Sequence, residues 1–409
     1  MTLASELAIP VIALTYIGVA LGEFPGLKTN RATIALGGAV LLLGLQVLTP
    51  RAALQSIDLN TLLLLLAMMI ISAHLRLAGF FSWMGQLVAR RTRSSRLMLA
   101  WVIAVPGVLA AVFMNDTVVL VFTPLVVDLA HTMRRDPLPY LLGLTTAANI
   151  GSAAAMTGNP QNILIGSSSH IPFNVFLAKL GPISLIGLAL SWVILLWLYR
   201  GEFDRPWEGP AEVLTSGHVD TTSLRRSLIL VGLMVVAFVA GIPVAAAAVA
   251  VAAAFLVSRR ARLEVVFAQV DWSVLVFFLG LFVVTGALER IRLVDQVVAL
   301  IEPFARAGVW PFAVAVALLS NLVSNVPAVL LVRPLVSQLA NPVQAWLTLA
   351  MASTLAGNLT LVGSAANLIV AEVSRAQGVR ISFREYLRAG VPITLMTIVV
   401  GVLWLSLVA

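Results

Sequence analysis

The stretches "NDTVVLVFTPLV", from Asn115 to Val126, and "NVPAVLLVRPLV", from Asn325 to Val336, agree at six of twelve positions without a gap, 210 residues apart. Both open on asparagine and carry proline at the tenth position, Pro124 and Pro334. Asn115 and Asn325 are good N-cap residues, and Pro327 suits a first helical turn, where its missing N–H costs nothing. Each stretch therefore predicts a turn that feeds a helix with unpaired N–H groups and a positive dipole end. Such an end favours an anion or a hydroxylated oxyacid. For one lone asparagine a simple cap is the better reading. The matched pair, with its matched prolines, favours a site.

A second pair follows each of the first. "TGNPQNILIG", from Thr157 to Gly166, aligns with "VGSAANLIVA", from Val362 to Ala371, so that Gly158 meets Gly363 and Asn162 meets Asn367. Both lie in apolar runs, where Gly-Asn-Pro interrupts a helix. Pro160 then opens a second half-helix capped by Asn159. The freed carbonyls, with Asn, Ser and Thr oxygens, are candidates to bind a coupling cation or substrate hydroxyls. The competing reading is a packing kink made by small residues.

Two charges break the symmetry. Asp116 stands opposite Val326, and Arg333 stands opposite Thr123. Ionisable groups inside a membrane are costly and usually functional. Asp116 is a candidate proton carrier, a permanently ionised cap, or a partner for Arg333. Arg333 is a candidate anchor for substrate charge, a partner for an acid, or an arginine snorkelling to the outer face.

These residues need elements to hold them, and composition says which. The 409 residues are 60% hydrophobic and 11% charged, with a mean hydropathy of +1.02. Soluble chains carry roughly a quarter charged residues. Apolar runs of about 17 residues or more recur along the chain, each long enough to cross a bilayer. The fold class is therefore an all-α polytopic membrane protein. The first run, from about Ile9, follows no basic residue and reads as a first span, not a cleaved signal. There is no cysteine, hence no disulfide or thiolate site. His74, His131, His170 and His218 are scattered without metal-ligand spacing. Neither a metal nor another cofactor is implied. The net charge of +8 is spread over short links and forms no nucleic-acid face.

Arginine placement orients the spans, because cytoplasmic links collect Lys and Arg. Arg90, Arg91, Arg93 and Arg96 are placed inside. Spans near 8–22, 32–48 and 60–79 then put Lys28 and Arg31 inside and the N-terminus outside. Region 97–133 has arginines at both ends and reads as a hairpin, with its turn at Asn115-Asp116-Thr117. A broken span at 140–169 leads out and one near 175–199 returns. Residues 201–225, with Pro206, Gly209 and Pro210, read as a cytoplasmic linker. In the second half, spans near 226–240 and 243–258 bring Arg259, Arg260 and Arg262 inside, and one near 272–288 exits. An amphipathic helix at 293–304 lies on the outer surface. A hairpin at 309–340, a broken span at 345–371 and a last span near 389–408 follow, leaving the C-terminus outside. The expectation is about ten transmembrane helices, two re-entrant hairpins and two broken helices, in inverted repeats over 1–200 and 226–409.

The segments "NDTVVLVFTPLV", "NIGSAAAMTGNPQNILIG", "SNLVSNVPAVLLVRPLV" and "GNLTLVGSAANLIVAE" resemble those of the ion transporter superfamily. The nearest branch looks like the arsenite permeases, with their sodium/proton antiporter and anion permease relatives. The resemblance implies a scaffold, a moving transport domain and alternating access in the cytoplasmic membrane. It implies substrate contacts from Asn115, Thr117, Asn159, Asn162, Ser324, Asn325, Ser364 and Asn367, with Asp116, Gly158 and Gly363 serving the coupling ion. The sodium-coupled dicarboxylate branch carries Ser-Asn-Thr at both tips. Here the tips read Met114-Asn115-Asp116-Thr117 and Ser324-Asn325-Val326-Pro327, which turns the expectation towards proton-coupled efflux of arsenite or antimonite. A sodium- or proton-coupled anion symporter (sulfate or carboxylate) and a sodium/proton antiporter are the alternatives. The expected partners are a small-molecule or oxyanion substrate, a coupling proton or sodium, lipid, a second copy in a homodimer and a cytoplasmic ATPase subunit.

Overall fold

The computed structural model describes residues 3–22, 29–206, 220–258 and 262–408. The expectations placed on Lys28, Gly209, Pro210, His218, Arg259 and Arg260 lie outside those residues. Every regular element among the described residues is helical. The first half runs α1 (Leu3–Leu21), α2 (Arg31–Gly44), α3 (Pro50–Ser56), α4 (Leu59–Leu77), α5 (Phe80–Arg91), α6 (Ser95–Val112), α7 (Asn115–Thr132), α8 (Pro137–Ser152), α9 (Pro160–Ser169) and α10 (Phe173–Leu198). A short α11 (Arg200–Phe203) follows. The second half runs α12 (Thr221–Val239), α13 (Val244–Val257), α14 (Leu263–Phe267), α15 (Trp272–Arg290), α16 (Leu293–Arg306), α17 (Val309–Val323), α18 (Asn325–Val336), α19 (Pro342–Leu355), α20 (Ala365–Ala376) and α21 (Phe383–Val408).

The same order of elements thus occurs twice, and the local chemistry repeats with it. Asp58 caps α4 through the Thr61 N–H, and Asp271 caps α15 through the Ser273 N–H. Proline opens both α8 and α19, where its fixed φ is already helical. The packing is exchanged between halves: α2 lies on α15 while its counterpart α13 lies on α4. Within each half, the first hairpin arm packs on the broken span, α6 on α8 and α17 on α19.

Among the described residues, six helices are long and apolar enough to cross a membrane: α4, α6, α10, α12, α15 and α21. Exposed residues such as Leu14, Leu185, Trp197, Leu233 and Leu318 would form adhesive patches in water. In a bilayer they face lipid tails. The halves of the broken spans are too short to cross: α9 reaches about 15 Å and α20 about 18 Å. Of the hairpin arms, α18 is short at about 18 Å, whereas α6 and α7, at about 27 Å each, are as long as spans.

Three local details differ from the sequence reading. Helix α12 begins at Thr221, inside the expected linker, because Asp220 accepts from the Thr222 and Ser223 N–H groups and starts it there. The amphipathic α5 was not expected; it occupies the place in the first half that α16 takes in the second. Arg135, read from the sequence only as one of the arginines at the cytoplasmic end of the first hairpin, is buried. It pairs with Glu202 at 3.6 Å and donates to the Glu202 and Arg205 carbonyls at 3.1 and 3.2 Å, tying the hairpin base to α11. Burial pushes the Glu202 carboxyl up, while Arg135 and Arg205 oppose that shift. Removing one member of a buried pair strands the other, at about 3–5 kcal/mol. Arg135→Ala should therefore lower the melting temperature in detergent by several degrees, and adding Glu202→Gln should restore part of it.

Candidate functional site

Four helix starts meet at one cavity of about 400 Å³. Asn115 and Asp116 open α7, Pro160 and Gln161 open α9, Asn325 and Val326 open α18, and Ser364 precedes Ala365 of α20. Each such end presents unpaired N–H groups and about half a positive charge. Asn115 and Asn325 are not the caps that their residue type predicted. Each is the first helical residue, after Met114 and Ser324, and no side chain caps α7, α18 or α20. The Asn115 side chain is drawn away instead, with Nδ2 donating to Asn149 Oδ1 at 3.0 Å and Oδ1 accepting from the Asp116 N–H. Only α9 of the four is capped as expected, by Asn159 Oδ1 from the Asn162 N–H at 2.8 Å. Ser324 holds the second tip at φ +76°, a conformation costing about 1–3 kcal/mol that recurs at ligand clamps.

Behind the cavity lies an amide network centred on Asn149. Its Oδ1 accepts from Asn115 Nδ2 and from Ser364 Oγ at 3.1 Å, and its Nδ2 lies 2.8 Å from Asn358 Oδ1 and 2.9 Å from Asn367 Oδ1. Asn149 thus joins one hairpin tip to the broken span of the other half. Motif pairing passed over it, although an amide in the apolar run of α8 was itself a signal.

Asn162 and Asn367 do the same work in the two halves. Asn162 Nδ2 donates to the carbonyls of Ser152 and Ala155, both at 3.1 Å. Asn367 Nδ2 donates to those of Gly357 and Thr360 at 2.7 and 3.0 Å. In each case the acceptors stand ten and seven residues earlier. These amides satisfy carbonyls that the helix break frees. They, with Asn159, are buried behind the cavity and do not line it. Gly158 and Gly363 also stand back from it. The Gly158 carbonyl accepts from the Asn115 N–H at 2.9 Å, and a Cβ there would meet the Ser152 carbonyl oxygen at 2.3 Å. Gly363 is similarly packed, against Gly357, Asn321 and Thr360. Thr117 lies one residue beyond the lining.

Of the expected site residues, Asn115, Asp116, Ser324, Asn325 and Ser364 reach the cavity, joined by Gln161, which the sequence reading did not single out. Asn325 is 8% exposed, and its Oδ1 has no hydrogen-bond partner among the described residues. A buried acceptor left unmade is costly, so the site presents an acceptor to a donor that arrives. The charged lining among the described residues is Arg31, Asp116, Asp271 and Glu372. Arg31 and Asp271 are the charges that act on Asp116. Arg333 is elsewhere: it pairs with Glu289 at 3.8 Å and lines a separate cavity of about 450 Å³ with Gln55, Ser56 and Thr285. Of the roles expected for it, the pair with an acid is the one observed, and that acid is Glu289.

Paired hairpins and paired broken helices, closing on one polar cavity inside an apolar helical fold, define a membrane transporter. The chain belongs to the family described as CitMHS, citrate transporter, which matches residues 16–356. It is 32% identical to the silicon efflux transporter LSI3 of Oryza sativa subsp. japonica, over 92% of this chain and 93% of that one. A Dictyostelium discoideum chain whose name marks it as a transporter of arsB type is 24% identical over 92% of this chain and 87% of its own. The crystal structure of the Alcanivorax borkumensis YdaH transporter has the same fold, with a TM-score of 0.59 at 12% identity over 99% of this chain and 98% of that one.

Proposed function

We propose that the protein exports a small, uncharged, hydroxylated metalloid acid in exchange for protons, with arsenite or antimonite as leading substrate. In this reading the cavity opens to the cytoplasm, where the arginine rule puts Arg31, Asp271 and Glu372. The observation that carries it is the cavity itself. Four helix starts bring about two positive charges in total, set against three carboxylates and one arginine. These nearly cancel, which suits a neutral solute better than a multiply charged anion. The unpartnered Asn325 Oδ1 takes an O–H donor, and the uncapped N–H groups of α18 and α20 take the solute's oxygens. The likeness to a silicon efflux transporter favours silicic acid as a second substrate of the same chemistry. Asp116, at the tip of the first hairpin, is the proton carrier. Asn115, Ser324, Asn325 and Ser364 contact the solute, and Asn159, Asn162 and Asn367 hold the broken backbone that shapes its site.

The test is uptake into everted vesicles under an imposed proton gradient, comparing arsenite, silicic acid, citrate, sulfate and sodium. Arsenite should accumulate, collapse with a protonophore, and lose at least about tenfold of its gradient-driven uptake in Asp116→Asn. Citrate or sulfate uptake in place of arsenite supports an anion symporter, and sodium exchange alone supports an antiporter. Full proton-driven activity in Asp116→Asn overturns the carrier assignment.

A further inference from the structure

The two halves are alike in sequence but not in state, and the difference falls on one pair of residues. Asp58 precedes α4 and Ser167 is the eighth residue of α9. Ser167 Oγ donates to Asp58 Oδ2 at 2.8 Å, and α4 packs on α9. In the second half the same two places are taken by Asp271, which precedes α15, and Glu372, the eighth residue of α20. Helices α15 and α20 do not pack in this way. Asp271 and Glu372 are both exposed on the lining of the open cavity. The molecule is therefore closed at one pair and open at its counterpart.

An inverted-repeat transporter reaches its other state when the halves exchange conformations about the central site. We propose that Asp271 and Glu372 form the gate of the open side, and that closing it binds a proton between them. The exchange brings α20 onto α15 as α9 now lies on α4. Where the closed side has a hydroxyl against a carboxylate, the open side would then have two carboxylates. Two carboxylates in contact cannot both stay ionised, so one takes a proton from the cavity water and donates it to the other. Reopening returns the proton to the same side. The gate thus makes closure sensitive to pH on its own side, apart from any proton carried across by Asp116.

The charged groups that share the lining are Arg31 on α2 and Asp116 on α7. Helix α4, which also packs on α15, carries His74 and Arg76, and α20 itself carries Arg375. The elements α3 and α18 meet α15 at its other end, beside Thr285 and Glu289. Arg31 could neutralise the pair without a proton. In that case closure would be independent of pH.

This inference rests on the alternating-access reading above but not on its substrate. The chain has no cysteine, so Ser273→Cys on α15 and Leu368→Cys on α20, both in the cavity lining, carry spin labels without background. Distances between them are read by pulsed electron resonance on the full chain in lipid at pH 5 and pH 8. The short-distance population should grow at least about fivefold on acidification. Glu372→Ser, which restores the hydroxyl–carboxylate pair of the closed side, should hold that population high at both pH values. Ser167→Glu should place the same repulsion on the other gate and favour the short distance at pH 8. Two populations that ignore pH, or a Glu372→Ser protein that responds like the parent, overturn the gate. One unchanging distance in every sample overturns the gate together with the alternating access beneath it.

Discussion

Asn149→Ala should reduce transport by at least about a hundredfold while the protein still assembles in the membrane. The side chain is 2% exposed and serves four partners at once: Asn115, Ser364, Asn358 and Asn367. Truncation leaves two donors and two acceptors without it. Each buried group so stranded costs about 1–3 kcal/mol, and a loss of about 3 kcal/mol in organising the site is already a hundredfold in rate. The tip loses its lateral hold, since Asn115 would keep only its backbone bond to the Gly158 carbonyl and the local bond from the Asp116 N–H to its Oδ1. Asn358 has a second tether, from its Nδ2 to the Thr146 carbonyl at 3.1 Å, and Asn367 keeps its two bonds to freed carbonyls. Damage therefore concentrates on Asn115 and Ser364, the two partners that line the cavity. Vesicle uptake of arsenite, with expression and thermal stability measured on the same preparations, checks this. Uptake within about twofold of the parent would show that the network is packing and does not organise the site.

Hairpins and breaks were readable because Pro, Gly and Asn in an apolar run leave few alternatives to a turn. Helices α6 and α17 begin at Ser95 and Val309, within two residues of the expected hairpin edges. Pairing Asn162 with Asn367 was equally readable. Their role was not, because which carbonyl an amide reaches depends on where the chain goes after the break. Asn149 stayed hidden for a related reason. Its partners Asn358 and Asn367 lie more than 200 residues away, and a single sequence carries no trace of that contact. The caps failed at both hairpin tips because N-cap preference is a local rule. At the first tip Asn115 stands one position inside the helix, with its Oδ1 on the N–H of the next residue and its Nδ2 held by Asn149, and at the second tip Ser324 takes the capping place in a strained conformation. Helix α5 was lost between a span and an arginine cluster. Its repeat partner α16 was legible because its apolar and charged residues separate cleanly along 3.6-residue spacing.

Gly151→Ala should be the most damaging single-methyl change at the base of the site. A Cβ on Gly151 would fall 1.9 Å from the Gly107 carbonyl oxygen, and 2.5 and 2.7 Å from its carbon and Cα. All three atoms are backbone, so no rotamer change relieves the contact. Helix α6 must move off α8 by more than an ångström. Overpacking a core usually costs about 1–3 kcal/mol, and a backbone-to-backbone clash this close belongs at the upper end or beyond. The contrast is Gly107→Ala, whose Cβ meets only the ends of the Leu188 side chain at 2.7 and 2.9 Å, and Gly181→Ala, whose nearest neighbour is 3.7 Å away. Thermal unfolding in detergent should therefore rank Gly151→Ala well below Gly107→Ala, with Gly181→Ala close to the parent. The functional consequence follows from position. Gly151 lies two residues after Asn149, and Gly107 lies on the arm that delivers Asn115. Forcing these helices apart draws the tip amide away from its partner. The Gly151→Ala protein that does fold should thus transport as poorly as Asn149→Ala, and wild-type rates in it would mean that the tip is held by contacts other than this network.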